Sequence, residues 1–238
     1  MGTSTASIQH TKLHKPELLV PLNGWKSISP TTKLFDYADA VYFGITGKFS
    51  MRARAQNFLP EDIPPLVEQL HDHQINAYLT TNILIYNIEL TELYQTIELA
   101  KTAGVDAIIC HDMATIMICK QLEIPFHIST QANISNRIAA KYFEALGANR
   151  LILARELRLS EIQEIIENIE IPVETFVHGA MCTAVSGRCY FSSEVMGNNR
   201  EFSANRGKCV QPCRRTYTLL GEEDEKIEYD ATEGLFFN

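Results

Sequence analysis

Short apolar segments alternate with helical patterns along most of this chain, and that alternation limits the folds open to it. Seven segments of four to six residues are rich in Val, Ile, Tyr, Phe or Thr, as β-strands are. Between several of them, as in 136–146 and 160–169, apolar residues recur at helical spacing. Strands that alternate with helices pair in parallel. The predicted strands are Glu17–Pro21, Ala40–Gly44, Ala77–Asn82, Ala107–Cys110, Phe126–Thr130, Arg150–Ala154 and Glu174–His178.

This order predicts an α/β fold, a TIM-type (β/α) barrel that is incomplete by one strand and occupies residues 16–180. A doubly wound open sheet is the main rival, but no Gly-rich dinucleotide-binding loop follows the first strand. Gly104 and Gly147 each follow a predicted helix and precede a strand, which suits the left-handed position after a helix end. Residues 1–15 are expected to be disordered.

Polar residues crowd the carboxyl ends of five predicted strands. In a TIM barrel that end carries the active site, although each residue alone could serve only as a helix cap. Several of these side chains are therefore candidates to line a substrate pocket. The polar set is Thr80, Thr81, Asn82, His111, Asp112, Ser129, Thr130, Gln131, Asn133, Arg155, Glu156 and His178.

Four of the six cysteines lie within 32 residues, in the pattern Cys182-x6-Cys189-x19-Cys209-x3-Cys213. The N-terminus has no export signal, so a disulfide framework is a poor explanation, and clustered cysteines indicate a metal site. Thiolates bind both zinc and iron–sulfur clusters, and this spacing does not separate the two. Cys110 and Cys119 lie in apolar segments and are predicted to pack in the core.

The net charge of −8 disfavours a broad grip on a nucleic-acid backbone. A local basic cluster is nevertheless present, and it could contact RNA phosphates. No apolar stretch is long enough to span a membrane, and a cytoplasmic location is expected. The basic cluster consists of Arg200, Arg206, Lys208, Arg214 and Arg215.

Several segments resemble peptidase family U32, the collagenase-like peptidases, over roughly residues 16 to 220. The resemblance implies a TIM-type barrel. Several branches of that family are oxygen-independent hydroxylases that carry a four-iron cluster. Two of them modify the wobble uridine of transfer RNA or a cytidine of ribosomal RNA, with a hydroxyl donor linked to prephenate. Other members are known as collagen-degrading peptidases. The matching segments are 38–44, 49–58, 127–133, 153–156 and 176–214.

The resemblance also implies a ligand set. Family members with a cluster take three ligands at the positions of Cys182, Cys189 and Cys209, and a fourth from further along the chain, whereas Cys213 resembles a nonligating cysteine. We therefore expect a cluster-binding segment over 181–220 and an acidic turn with a truncated final strand over 221–238. A fragment that lacks its fourth ligand is the preferred interpretation. The alternative is a complete protein in which Cys213 or a partner chain supplies that ligand.

The preferred functional hypothesis is an iron–sulfur RNA hydroxylase. Arg52 and Arg54 suit an anionic small molecule such as prephenate, because guanidinium groups bind carboxylates through paired hydrogen bonds. The two arginines could equally form internal salt bridges. Zinc is the alternative metal. A peptidase is the alternative enzyme, but neither Gly-x-Ser-x-Gly nor His-Glu-x-x-His is present. A noncatalytic subunit of a homo- or heterodimer is the third hypothesis. The candidate pocket residues are Arg52, Arg54, Gln131, Asn133, Arg155 and His178.

Overall fold

A computed structural model describes residues 15–29, 32–52, 55–179, 182–216, 219–220 and 226–227. Its main sheet has seven parallel strands in sequential order, with β1 and β7 at the two edges. A separate antiparallel pair, β8 and β9, follows. The strands are β1 Leu19–Pro21, β2 Ala40–Phe43, β3 Asn76–Thr81, β4 Ala107–Cys110, β5 Phe126–Ile128, β6 Arg150–Ile152, β7 Val173–Glu174, β8 Leu219–Leu220 and β9 Lys226–Ile227.

An α-helix follows each of the first six strands, and 3₁₀ turns precede the helix in several of these connections. Side-chain caps start two of the helices: Asp112 accepts a hydrogen bond from the Ala114 amide at 2.9 Å, and Asn136 caps the next helix in the same way. The helices are α1 Leu34–Tyr37, α2 Ile63–Asp72, α3 Leu90–Thr102, α4 Met113–Gln121, α5 Arg137–Ala145, α6 Leu159–Ile166 and α7 Phe191–Val195.

The predicted incomplete barrel is confirmed. The sheet is curled, so that the Glu17 carboxylate, next to β1, accepts hydrogen bonds from Tyr78 on β3 and from Arg150 on β6. Gly104 and Gly147 have φ of 81° and 101°, as predicted for residues that end helices. The predicted disordered start, Arg54, and most of the predicted acidic turn and final strand lie outside the described residues.

Some strands are shorter than predicted, and β7 differs most. It comprises only Val173–Glu174, and the side chains of Phe176 and Val177, which were predicted to continue it, are exposed. Strand β5 ends at Ile128, because Ser129 begins a 3₁₀ turn and its hydroxyl accepts a hydrogen bond from the Gln131 amide. None of the helices in the described ranges combines the length and apolar character needed to cross a bilayer.

The sheet buries apolar residues on both faces. A large core lies between the sheet and the helices, and it includes Cys110 and Cys119, as predicted. A smaller apolar cluster lines the concave face, which we call the lumen. Its buried members are Ala40, Tyr78, Ala107, Ile109 and Ile152.

Charged side chains share the lumen with that small cluster. Arg150 donates to both oxygens of Glu17 at 2.5 and 3.1 Å, and it lies 3.5 Å from Oε2 of Glu174, which makes no hydrogen bond. Burial raises the pKa of Glu174 to about 7, against the opposing effect of Arg150. Burial, reinforced by Arg150, lowers the pKa of His127 to about 3. The lumen therefore holds a neutral imidazole beside a guanidinium and two carboxyl groups.

Replacement of Glu174 by Gln should change how stability depends on pH. The folded pKa of about 7 lies above the ordinary 4.5, so the folded state keeps a proton that the unfolded chain loses between these values. As pH rises through that window, the free energy of unfolding of the wild type should fall relative to Glu174→Gln, by at most about 3 kcal/mol. Urea unfolding at several pH values measures this. The contribution of His127 is the same in both proteins and cancels in the comparison. A difference in free energy of unfolding between wild type and Glu174→Gln that stays constant with pH contradicts the prediction.

Candidate active site

A cavity of about 190 Å³ lies where the carboxyl ends of β5 and β6 meet the segment 182–216, which we call the cysteine segment. All four cysteines of this segment line the cavity, together with Met51, Gln131 and Arg155. All four are free thiols; Cys182 is exposed and the other three are half-buried. The structure thus brings the clustered cysteines of the sequence to one cavity above the barrel.

The thiols of the cavity influence one another. Burial raises the pKa of Cys189, and the neighbouring Cys209 and Cys182 raise it further. The Gln211 amide donates to the sulfur of Cys209 at 3.3 Å. Within the described ranges, no three His, Cys, Asp or Glu side chains stand close enough to hold a single metal ion. The four sulfurs thus line one cavity, and those of Cys182 and Cys209 lie close enough to Cys189 to affect its pKa.

Two residues that follow β6 hold the loop from Cys182 to Cys189, which we call the cysteine loop. The Arg155 guanidinium donates to the carbonyls of Cys182 and Ala184 at 2.7 and 2.9 Å. The Glu156 carboxylate accepts from the amide and the hydroxyl of Ser186 at 2.6 and 3.2 Å. Burial opposes ionisation of Glu156, but the bonds from Ser186 prevail and lower its pKa. The carboxylate is thus held charged where it fixes the loop.

The end of β5 fixes the same loop by close approach. Asn133 donates to the carbonyl of Ser186 at 3.2 Å, and the hydroxyl of Thr130 lies 3.4 Å from that of Ser186. Gly187 has a φ of 73°, and a Cβ at this position would lie 2.0 Å from the carbonyl oxygen of Gln131. Only glycine fits here, because both the backbone conformation and the contact exclude a side chain.

The second half of the cysteine segment is fixed to the loops after β2 and β3. Gly207, with a φ of 74°, would place a Cβ 2.2 Å from the carbonyl oxygen of Ser50. Arg206 binds both oxygens of Glu89 at 2.5 and 2.7 Å and lies 4.6 Å from the ring centre of Tyr86. These contacts set the position of Cys209 relative to the barrel.

The remaining predicted pocket residues lie apart from the cysteine loop. The Arg52 guanidinium enters the lumen, where it donates to the carbonyl of Tyr42 at 3.2 Å, bonds Asn23 and lies 4.9 Å from the Tyr42 ring centre. No carboxylate in the described part of the chain pairs with Arg52, and burial lowers its pKa. His178 is exposed in a bend after β7. Arg54 lies outside the described residues.

The profile of peptidase family U32 matches residues 30–238. This chain belongs to that family. An uncharacterised protease of Methanocaldococcus jannaschii is 38% identical, over 92% of this chain and 53% of that protein. A collagenase of Porphyromonas gingivalis is 37% identical, over 90% of this chain and 52% of that protein. A tRNA hydroxylation protein of Bacillus subtilis is 35% identical, over 88% of this chain and 51% of that protein. The chain therefore spans about half the length of these relatives.

A solved U32 peptidase has the same fold. It aligns with a TM-score of 0.61 and 16% identity, over 89% of this chain and 87% of that chain. At this identity the likeness concerns the fold alone. It agrees with the barrel that the strand order of this U32 chain builds.

Sequence reasoning located most polar residues of this U32 site but not their contacts. Gln131, Asn133 and Arg155 are predicted pocket residues, and in the structure Asn133 and Arg155 bind the backbone of the cysteine loop. The roles of Gly187 and the lumen charges were missed. A Gly between Ser186 and Arg188 is a weak signal for close packing, because turns carry the same pattern.

Gly187→Ala should loosen the cysteine loop, and Gly197→Ala is a matched control. Both glycines have a φ of 73°, but a Cβ added at Gly197 would have no atom within 4 Å, whereas one at Gly187 meets Gln131. Both changes place an alanine in the left-handed backbone conformation, which lowers the free energy of unfolding. Gly187→Ala should lower it by about 1–3 kcal/mol more, because the added Cβ clashes with Gln131. Urea unfolding and the rate at which a thiol reagent labels Cys189 measure the two effects. Equal stability and equal labelling in the two variants contradict the assigned contact.

Proposed function

We propose that this chain forms the barrel and cluster-binding part of an oxygen-independent, iron–sulfur-dependent RNA hydroxylase. Its substrate would be the wobble uridine of transfer RNA or a cytidine of ribosomal RNA, with a prephenate-linked hydroxyl donor. The observation that carries the proposal is the set of four free cysteines around one cavity on the active face of the barrel. A relative named as a tRNA hydroxylation protein supports the reaction class.

The donor set of the cavity suits an iron–sulfur cluster. Thiolates are the protein ligands of iron–sulfur clusters, and a four-iron cluster binds cysteine sulfurs at separate iron atoms. Zinc, which thiolates also bind, is the alternative metal. Cys182, Cys189 and Cys209 would hold the cluster, with Cys213 as a candidate fourth ligand.

When bound, such a cluster supplies one-electron redox chemistry. The chain itself supplies position. Arg155 and Glu156 fix the loop of Cys182 and Cys189 to the strand ends through four hydrogen bonds. Gln131 and Met51 line the remaining wall next to β5 and β2. The cavity therefore opens between thiols on one side and the barrel on the other.

The Arg52 guanidinium supports an anionic co-substrate. It is a half-buried cation without a carboxylate partner among the described residues, beside Met51, which lines the thiol cavity. A buried charge without a counter-ion is costly, and a carboxylate of a small molecule would offset that cost through charged hydrogen bonds. A compound with carboxylate groups, such as prephenate, fits this position.

A peptidase is the alternative that the names of two relatives favour. Ser186 lies between two residues that line the cavity, Val185 and Gly187, but its side chain is fully buried and bound to Glu156. No imidazole pairs with Ser186 in the portion of the chain that the structure covers, so no nucleophile and base are assembled there. A noncatalytic subunit of a family pair remains the third candidate, and its thiols could still bind a cluster.

The first experiment is purification without oxygen, with visible spectroscopy and assay of iron and sulfide. We expect a broad charge-transfer absorbance that is lost in Cys182→Ala, Cys189→Ala and Cys209→Ala. Cys119→Ala, which removes a buried core thiol, is the matched control and should keep the absorbance. Retention in Cys213→Ala would exclude Cys213 as a ligand. A colourless protein that binds zinc, or one that stays colourless after anaerobic addition of iron and sulfide, contradicts the proposed cofactor.

Arg52→Gln should weaken prephenate binding about tenfold or more, because a charged hydrogen bond to the carboxylate is lost. Isothermal titration calorimetry of the anaerobic protein measures the affinity. Arg52→Lys keeps the charge but loses the planar guanidinium, so its affinity should lie between those of the wild type and Arg52→Gln. Arg158→Gln removes an exposed arginine at the start of α6 and serves as the control. Equal affinities of Arg52→Gln and Arg158→Gln would exclude Arg52 from the binding site.

A further inference from the structure

Positive charge is concentrated in the cysteine segment. Residues 182–216 contain six basic and two acidic residues, in a chain whose net charge is −8. Two of the basic residues are already paired: Arg206 with Glu89 at 2.5 Å, and Lys208 with Glu201 at 2.6 Å. The remaining four are exposed and form no ion pair with described residues. They are Arg188, Arg200, Arg214 and Arg215.

An exposed aromatic residue lies between Arg188 and Arg200 in the sequence of this segment. Tyr190 follows Cys189 directly, at the edge of the thiol cavity, and 71% of it is exposed. The next residue, Phe191, lines the cavity. An aromatic side chain this exposed offers a flat face on which a nucleic-acid base can stack.

Helix α7 holds the ring and the arginines on one framework. The helix packs against the 3₁₀ turns Arg200–Phe202 and Pro212–Arg214. The Val210 amide donates to the buried hydroxyl of Ser192 at 2.9 Å and connects the helix to the segment before the second turn. Arg200 also lies 5.4 Å from the ring centre of Tyr86. Tyr190, Arg188 and Arg214 are therefore each adjacent in sequence to a residue that lines the cavity, and α7 packs against the turns that carry Arg200 and Arg214.

We propose that this surface, Tyr190 with Arg188, Arg200, Arg214 and Arg215, binds the RNA substrate next to the thiol cavity. The inference rests on the proposed function, since it names the surface by which an RNA would reach that site. A base from a single-stranded loop stacks on Tyr190, and the arginines contact the flanking phosphates. The rest of the chain is acidic and repels the phosphate backbone of the RNA, so this surface is where the RNA makes contact.

The test measures binding of two synthetic RNAs, an anticodon stem–loop with uridine at the wobble position and a ribosomal RNA hairpin with a cytidine in its loop, by fluorescence anisotropy at several salt concentrations. Tyr190→Ala should weaken binding about tenfold, and Tyr190→Phe should keep the wild-type affinity. Arg200→Gln combined with Arg214→Gln should weaken binding and reduce the salt slope by about 0.7 per lost phosphate contact. Tyr142→Ala makes the same change to an exposed tyrosine of α5, and Lys141→Gln removes a positive charge from the same helix, and both should have no effect.

The proposed surface is overturned if the wild type binds neither RNA. It is also overturned if Tyr190→Ala and the double arginine variant bind RNA with the same affinity as the α5 controls. Mass spectrometry of RNA from cells that express the same variants separates the surface from the reaction. Normal hydroxylation by Tyr190→Ala and by the double arginine variant also overturns the surface. RNA binding that depends on these residues, without hydroxylation by the wild type, supports the surface and rejects the hydroxylase.

Discussion

The position of Cys182 and Cys189 depends on one contact above all, the approach of Gly187 to the carbonyl of Gln131. At this point the backbone of the cysteine loop touches the backbone at the end of β5, with no side chain between them. The bonds from Ser186 to Glu156 and from Arg155 to the loop carbonyls act within a few residues of it. Since neighbouring parallel strands lie about 4.8 Å apart, β5 and β6 present these anchors side by side. The barrel thus fixes the loop through adjacent strand ends.

The charged side chains of the lumen connect the two edges of the sheet. An incomplete barrel leaves β1 and β7 as edges, and the lumen side chains near those edges are not fully enclosed. Arg150 connects Glu17, next to β1, with Glu174 on β7, so one guanidinium joins both sides of the opening. Such a buried ion group need not add stability compared with an apolar core, but removal of one member leaves the others unpaired. The charges therefore link the two edges of the curled sheet, and the loss of one would leave its partners unpaired.

The amino-acid pattern predicts most of the fold. Strand β4 has its predicted bounds, because all of its residues are buried and apolar periodicity reports burial directly. Strand β7 is shorter than its pattern, since Phe176 and Val177 are apolar yet exposed. Periodicity cannot distinguish an apolar residue in a strand from one on an exposed bend. The helix ends at Gly104 and Gly147 were predictable because a left-handed position selects glycine locally.

The candidate site shows where such prediction ends. The polar strand ends identify which side chains reach the active face, yet the partner of Arg155 is a carbonyl 27 residues later, and its identity depends on tertiary approach. The same limit separates the basic residues of the cysteine segment, which look alike in sequence. Arg206 is neutralised by Glu89 and anchors the segment, whereas Arg200 and Arg214 have no acidic partner in the described residues and face solvent. A charge that anchors the segment has its hydrogen bonds satisfied, by a carboxylate for Arg206 and by backbone carbonyls for Arg155, because an unsatisfied buried charge is costly. A charge that can bind a mobile phosphate must stay exposed and unpaired, and that distinction divides this segment into a part that holds the thiols and a part that is free to bind a ligand.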